Sequence, residues 1–113
     1  MNLLLRILIT AILVMLIANF MPGVHVAGFV TALIVAVVLG LLNIFIKPIL
    51  IILTLPVTIV TLGLFLLVIN ALIILLCTYI VGGFGVDTFW TALFFSIVLS
   101  ILQSIMYKLI GND

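Results

Sequence analysis

Apolar runs long enough to cross a bilayer, separated only by short clusters of proline, glycine and polar residues, dominate this chain and leave few folds open to it. The first, Leu3 to Phe20, is broken only by Arg6, Thr10 and Asn19. About eighteen helical residues rise about 27 Å, close to the roughly 30 Å hydrocarbon core of a bilayer. Hydrophobic residues make up 70% of the 113 and charged ones 4%, where soluble domains carry about a quarter charged; the mean hydropathy is +1.89. The composition is that of an integral membrane protein with no soluble domain. A net charge of +1 offers no electrostatic basis for binding nucleic acid. The single cysteine, Cys77, rules out an intrachain disulfide, no Cys/His cluster has metal-ligand spacing, and no cofactor is expected.

The pattern predicts four spans at about 3–20, 28–46, 57–81 and 88–109, with turns at Met21-Pro22-Gly23 and Gly82-Gly83-Phe84-Gly85. A signal peptide is the rival reading of the first run, but Ala18, Asn19 and Phe20 do not make the small-x-small cleavage pattern, so a retained span is expected. Basic residues bias the loops they occupy toward the cytoplasm. Four spans put Arg6, Lys47 and Lys108 on one side and His25 and Asp87 on the other, which predicts both termini in the cytoplasm. His25 reads as a loop histidine and Asp87 as a cap for the fourth helix.

The stretch Asn43 to Ala71 interrupts the apolar pattern with Pro48, Pro56, Lys47, Asn43 and Asn70. Pro48 disfavours helical backbone at Lys47, which predicts a helix end there. The apolar residues 48–55 would rise only about 12 Å as a helix, so an interfacial or re-entrant segment is expected. Pro56 is tolerated in the first turn of a helix, and the third span is expected to run unbroken from Val57. Asn70 would then lie near mid-bilayer, a costly place unless it has a partner.

The sequence NIFIKPIL followed by LPVTIVTLGLFLLVINAL resembles the signature of a family of small four-span bacterial membrane proteins, the phage-holin-like proteins of superfamily IV. The likeness extends from the Gly28 region through the fourth span. It implies a holin-like protein whose copies gather in the bacterial inner membrane and oligomerise into lesions.

A shift of sixty residues aligns FVTALIVAVVLGLLN from Phe29 with FWTALFFSIVLSILQ from Phe89, identical at Phe29, Thr31, Ala32, Leu33, Val38, Leu39 and Leu42. The same shift sets Asn43 on Gln103 and, in a much weaker match, Thr10 on Asn70 and Ala11 on Ala71. The expected fold is therefore an all-α four-helix membrane bundle built as two parallel hairpin repeats with the 48–55 segment between them. Gly28, Ala32, Ala36 and Gly40 on the second span, and Ala92, Ser96, Ser100 and Ser104 on the fourth, form small-residue ridges. Such ridges let backbones approach in lipid. They predict that the second and fourth helices cross, or that the ridges join copies into a homo-oligomer.

The polar positions Asn43, Lys47, Asn70 and Gln103, with the prolines Pro48 and Pro56, are the candidate structural or functional sites. Lys47 is expected to snorkel to the cytoplasmic interface and Asn70 to bond between helices. Ser96, Ser100 and Ser104 have no base beside them in sequence, so no catalytic constellation is read and no enzyme is expected. Three roles follow: a holin-like or structural membrane protein, an envelope-maintenance partner, or a small transporter or lipid-interacting protein. Apart from the lipid bilayer, the sequence names no partner.

Overall fold

A computed structural model describes residues 2–110; the terminal residues whose cytoplasmic placement the sequence predicts, residue 1 and residues 111–113, lie outside the described residues. Four long helices form the body: α1 (Leu3–Phe20), α2 (Phe29–Phe45), α5 (Phe65–Ile80) and α6 (Phe89–Ile110). Two short helices, α3 (Lys47–Leu53) and α4 (Leu55–Val60), make the connector, and two three-residue strands, β1 (Val24–Val26) and β2 (Phe84–Val86), occupy the hairpin tips. The chain is a four-helix membrane protein. Leu3–Phe20, Phe29–Leu53 and Phe89–Ile110 are long and apolar enough to cross a membrane, and Phe65–Ile80 is a shorter apolar helix.

Side-chain caps mark the starts of α1 and α6. The Asn2 side chain accepts from the Leu5 amide at 2.7 Å, answering a free donor at the start of α1. At α6 the cap is Thr88, whose hydroxyl accepts from Thr91 N at 3.1 Å, and not Asp87 as the sequence suggested. Asp87 instead reaches across to His25, Nε2 to Oδ1 2.9 Å, so neither residue is an isolated loop side chain.

The tips do more than turn the chain. β1 and β2 pair antiparallel, Val24 with Val86, His25 with Gly85 and Val26 with Phe84. Ala27 N donates to Gly83 O and Asp87 N to Gly23 O, each at 2.8 Å. The two hairpins are thus tied backbone to backbone at one end. Gly23 and Gly83 take φ of +92° and +89°, where a side chain is strained. A Cβ on Gly83 would also stand 3.0 Å from that of Ala27. Gly83→Ala is expected to lower the unfolding free energy in detergent by at least about 1 kcal/mol, read from the thermal midpoint, with Gly82→Ala, which meets open space, as the reference.

The third span is not one helix. α4 ends at Val60 and α5 begins at Phe65. Gly63 N donates to Thr58 O and Leu62 N to Ile59 O, a Schellman closure with Leu62 in the left-handed position at φ 56°. Thr61 spans the break, its hydroxyl donating to Val57 O at 2.9 Å and accepting from Phe65 N at 3.2 Å. Upstream, α2 and α3 are separated only by Ile46, whose backbone stays helical. Pro48 therefore interrupts a nearly continuous helix, because it lacks the amide that would bond one turn back. The connector buries none of its helical residues.

Packing follows the hairpins. α1 lies against α2 and α5 against α6, while α1–α6 and α2–α5 contacts close the bundle. The crossing of the second and fourth helices expected from their ridges is not among the main packing pairs of the described residues; α2 and α6 stand diagonally. The close approach draws on small residues of all four helices instead, since Ala11, Ala32, Ala71 and Ala92 are each fully buried. Each ridge is packed over only part of its length, at Ala32 and Ala36 on α2 and at Ala92 and Ser96 on α6, and a Cβ on Gly28, at the tip end, would meet nothing within 4 Å. Ala36 and Ser96 are buried, whereas Ser100 and Ser104 are exposed and a Cβ on Gly40 would meet nothing within 4 Å.

Burial recurs at the sixty-residue offset. Ile9, Ala11, Leu13, Val14 and Ile17 are buried on α1, and Ile69, Ala71, Ile73, Ile74 and Cys77 on α5. Ala32, Val35, Ala36 and Leu39 on α2 match Ala92, Phe95, Ser96 and Leu99 on α6. The tip hydrogen bonds from Ala27 and Asp87 obey the same offset.

Candidate functional site: a two-lobed polar cleft

At the end away from the strands the helices part and polar side chains converge. One lobe, about 60 Å³, is lined by Asn43, Lys47, Asn70, Ser96, Ser100 and Gln103 over a floor that includes Leu39, Ile74 and Leu99. The other, about 290 Å³, is lined by Arg6, Thr10, Asn43, Gln103 and Tyr107 with apolar residues of α1 and α2. Asn43 and Gln103 belong to both, so the lobes meet between α2 and α6.

The four polar positions singled out from sequence are brought together here. Lys47 arrives because α3 folds against α5, and it is half-buried. It lines the smaller lobe together with three side-chain amides and two serine hydroxyls, an environment the snorkelling expectation did not include. Asn70 lines that lobe and is half-buried. Asn43 is exposed at the shared mouth. Pro48 and Pro56 are exposed in the connector and line neither lobe; they shape the approach of Lys47 only through the backbone. Of the ridge residues, Gly28, Ala32, Ala92 and Ser104 lie outside the cleft, and Ala36, Gly40, Ser96 and Ser100 line it.

The larger lobe holds a hydrogen-bond network. Gln103 Nε2 donates to Thr10 Oγ1 at 2.9 Å and to Tyr107 Oη at 3.3 Å, and the two hydroxyls are 2.9 Å apart. The Arg6 guanidinium lies 5.2 Å from the centre of the Tyr107 ring, within cation–π range. Thr10, buried at 5% exposure, is satisfied by this network. Asn43 and Gln103, matched by the sixty-residue shift, line the same cavity, while the hydrogen bonds of Gln103 go to Thr10 and Tyr107. Arg6, Thr10 and Tyr107 were not candidates from sequence. The signal for Thr10 was its offset match to Asn70, and Tyr107 stands at the same offset from Lys47.

Toward the strands the cleft ends against solid packing. Val14, Val35, Ala71 and Phe95 are fully buried there, with Ile74 3% exposed. One copy of the chain therefore offers a cleft closed at its inner end.

Comparison with known proteins places this architecture. A family model described as "Mycobacterial 4 TMS phage holin, superfamily IV" matches residues 1–105. The chain is 43% identical over 103 residues to the "Uncharacterized membrane protein YvlD" of Bacillus subtilis, covering 90% of this chain and 87% of that protein. It is 46% identical over 77 residues to the "Uncharacterized protein SCO3922" of Streptomyces coelicolor, covering 65% of this chain and 62% of that one. No solved structure matches the chain. The match across nearly all of its length shows that this chain belongs to the four-span phage-holin family of superfamily IV.

Proposed function

We propose that this chain is a non-catalytic bacterial inner-membrane protein that acts by presenting its polar cleft at the cytoplasmic end, and not as a self-contained pore. The observation that carries this reading is the convergence of polar side chains from all four long helices at one end of a bundle whose interior toward the strands is apolar and buried. Polar groups inside a membrane are expensive unless they serve a partner or a watered cavity. Collecting Asn43, Asn70, Ser100 and Gln103 beside Lys47 and Arg6 fits that use. The cytoplasmic assignment rests on Arg6, Lys47 and Lys108, with His25 and Asp87 facing outward. The matched burial at an offset of sixty favours a duplicated hairpin about a pseudo-two-fold axis along the membrane normal, with the cleft on that axis. A second reading, lesion formation by self-association as the family description suggests, draws on Ser100 and Ser104, which leave α6 with a small exposed stripe.

Thiol labelling in a Cys77→Ser background tests the proposal. Ser100→Cys is expected to react with a membrane-impermeant maleimide applied from the cytoplasmic side, and His25→Cys only from the opposite side. Vesicles carrying the protein are expected to retain an entrapped dye. An unreactive Ser100→Cys, the reverse sidedness, or dye release would each overturn it, the last in favour of lesions.

A further inference from the structure

The larger lobe continues into an apolar trough on the outside of the first hairpin. The trough, about 100 Å³, is lined by Leu3, Ile7, Ala36, Val37, Gly40, Leu41 and Ile44, and it shares Leu3, Ile7, Ala36, Gly40 and Ile44 with the polar lobe. Its floor is open at Gly40, where no atom stands within 4 Å of a would-be Cβ. Its walls face the bilayer, since Leu3, Val37, Leu41 and Ile44 are all exposed. Polar lobe and trough together make one amphiphilic site. Among the described residues, the only charged one lining its polar end is Arg6, set in the first turn of α1 where a lipid headgroup would lie, with Asn43 and Gln103 amides and the Thr10 and Tyr107 hydroxyls around it.

We infer that this site holds one anionic phospholipid, its phosphate at Arg6 and one acyl chain in the trough over Gly40. The charge selects the head, because a guanidinium matches phosphate oxygens through two parallel hydrogen bonds. The trough selects a chain-bearing ligand over free phosphate. The site rests on the cleft of the proposed function and gives it a ligand class. The second hairpin lacks an equivalent, since Ser100 stands where Gly40 does and its lobe is about 60 Å³.

Native mass spectrometry of the full chain from detergent doped equally with phosphatidylglycerol and phosphatidylcholine tests this. The expected result is a single-lipid adduct favouring phosphatidylglycerol. Arg6→Gln should reduce that preference about tenfold, the size of one charge-assisted contact. Gly40→Leu should remove the adduct with either lipid, while Ser104→Leu, outside the site, keeps it. Circular dichroism and the thermal midpoint check that each variant is folded; were Gly40→Leu unfolded, Gly40→Val would be read in its place. Equal binding of both lipids, an adduct that survives a folded trough-filling variant, or displacement of the lipid by millimolar inorganic phosphate would overturn the inference. A phosphatidylglycerol adduct with an unreactive Ser100→Cys would leave the lipid site standing and remove the cleft reading.

Discussion

Phe95→Ala is expected to lower the stability of the folded protein in detergent by about 3 kcal/mol, the low end of the range for truncating a buried aromatic ring. Phe95 is the largest of the fully buried side chains, and its ring centre lies 5.9 Å from that of Phe84 at an interplanar angle of 57°. At the sixty-residue offset these rings correspond to Val35 and Val24, both buried, so the second hairpin buries two aromatics where the first buries two valines. The low end applies because lipid tails are as apolar as a protein interior. Truncation then forfeits mainly dispersion contacts and not transfer from water. Phe94→Ala provides the internal comparison, since Phe94 sits on the same helix 59% exposed. It is expected to change stability by no more than about 0.5 kcal/mol. Equal losses for the two variants in thermal or SDS unfolding would mean that the tip-side half of the bundle is not packed as described.

How much of this was legible depended on whether the signal was local. The apolar runs carried the helices, and their glycine and proline punctuation carried the turns, because both follow from length and backbone chemistry alone. The sixty-residue sequence match is dense between α2 and α6, where identities are many. In α1 and α5 it was faint: Leu13 and Val14 stand against Ile73 and Ile74, and Ile17 against Cys77. Burial recurs there nonetheless, since packing needs similar volume and not identity. The break at Leu62-Gly63 was hidden by its surroundings. A glycine in an apolar run reads as a tolerated helix residue, and nothing in the sequence says that Leu62 will take a left-handed conformation. The diagonal placement of α2 and α6 was equally hidden, because a small-residue ridge says that something approaches closely without saying which helix does. The cleft lies between these cases. Asn43, Lys47, Asn70 and Gln103 stood out one by one, but only the folding of α3 onto α5 and of α6 onto α1 makes them neighbours of each other and of Thr10, Arg6 and Tyr107.

The tip strands were the least legible feature, and they lead to the second large effect. In a Cys77→Ser background, His25→Cys combined with Gly85→Cys is expected to form an intrachain disulfide that raises stability by about 4 kcal/mol, the chain-entropy value for closing a loop of about sixty residues. His25 and Gly85 are directly opposed in the antiparallel pair. They are two residues from each flanking bond, Ala27 N to Gly83 O and Asp87 N to Gly23 O. That spacing makes them a hydrogen-bonded pair with Cα atoms about 5.5 Å apart, inside the range a disulfide spans. A Cβ on Gly85 would lie 3.9 Å from the His25 ring, so the two side chains emerge on one face. The substitutions remove the His25–Asp87 contact, but both partners are more than half exposed, and such a surface pair is worth at most about 1 kcal/mol. A faster-migrating monomer on a non-reducing gel, reversed by reductant, together with a higher thermal midpoint, is the expected result. Bridging that occurs in living cells with an oxidising periplasm would also place the tips outside the cytoplasm. A covalent dimer in place of the bridged monomer would mean that β1 pairs with β2 of another copy, and the bundle would then be assembled from hairpins of two chains.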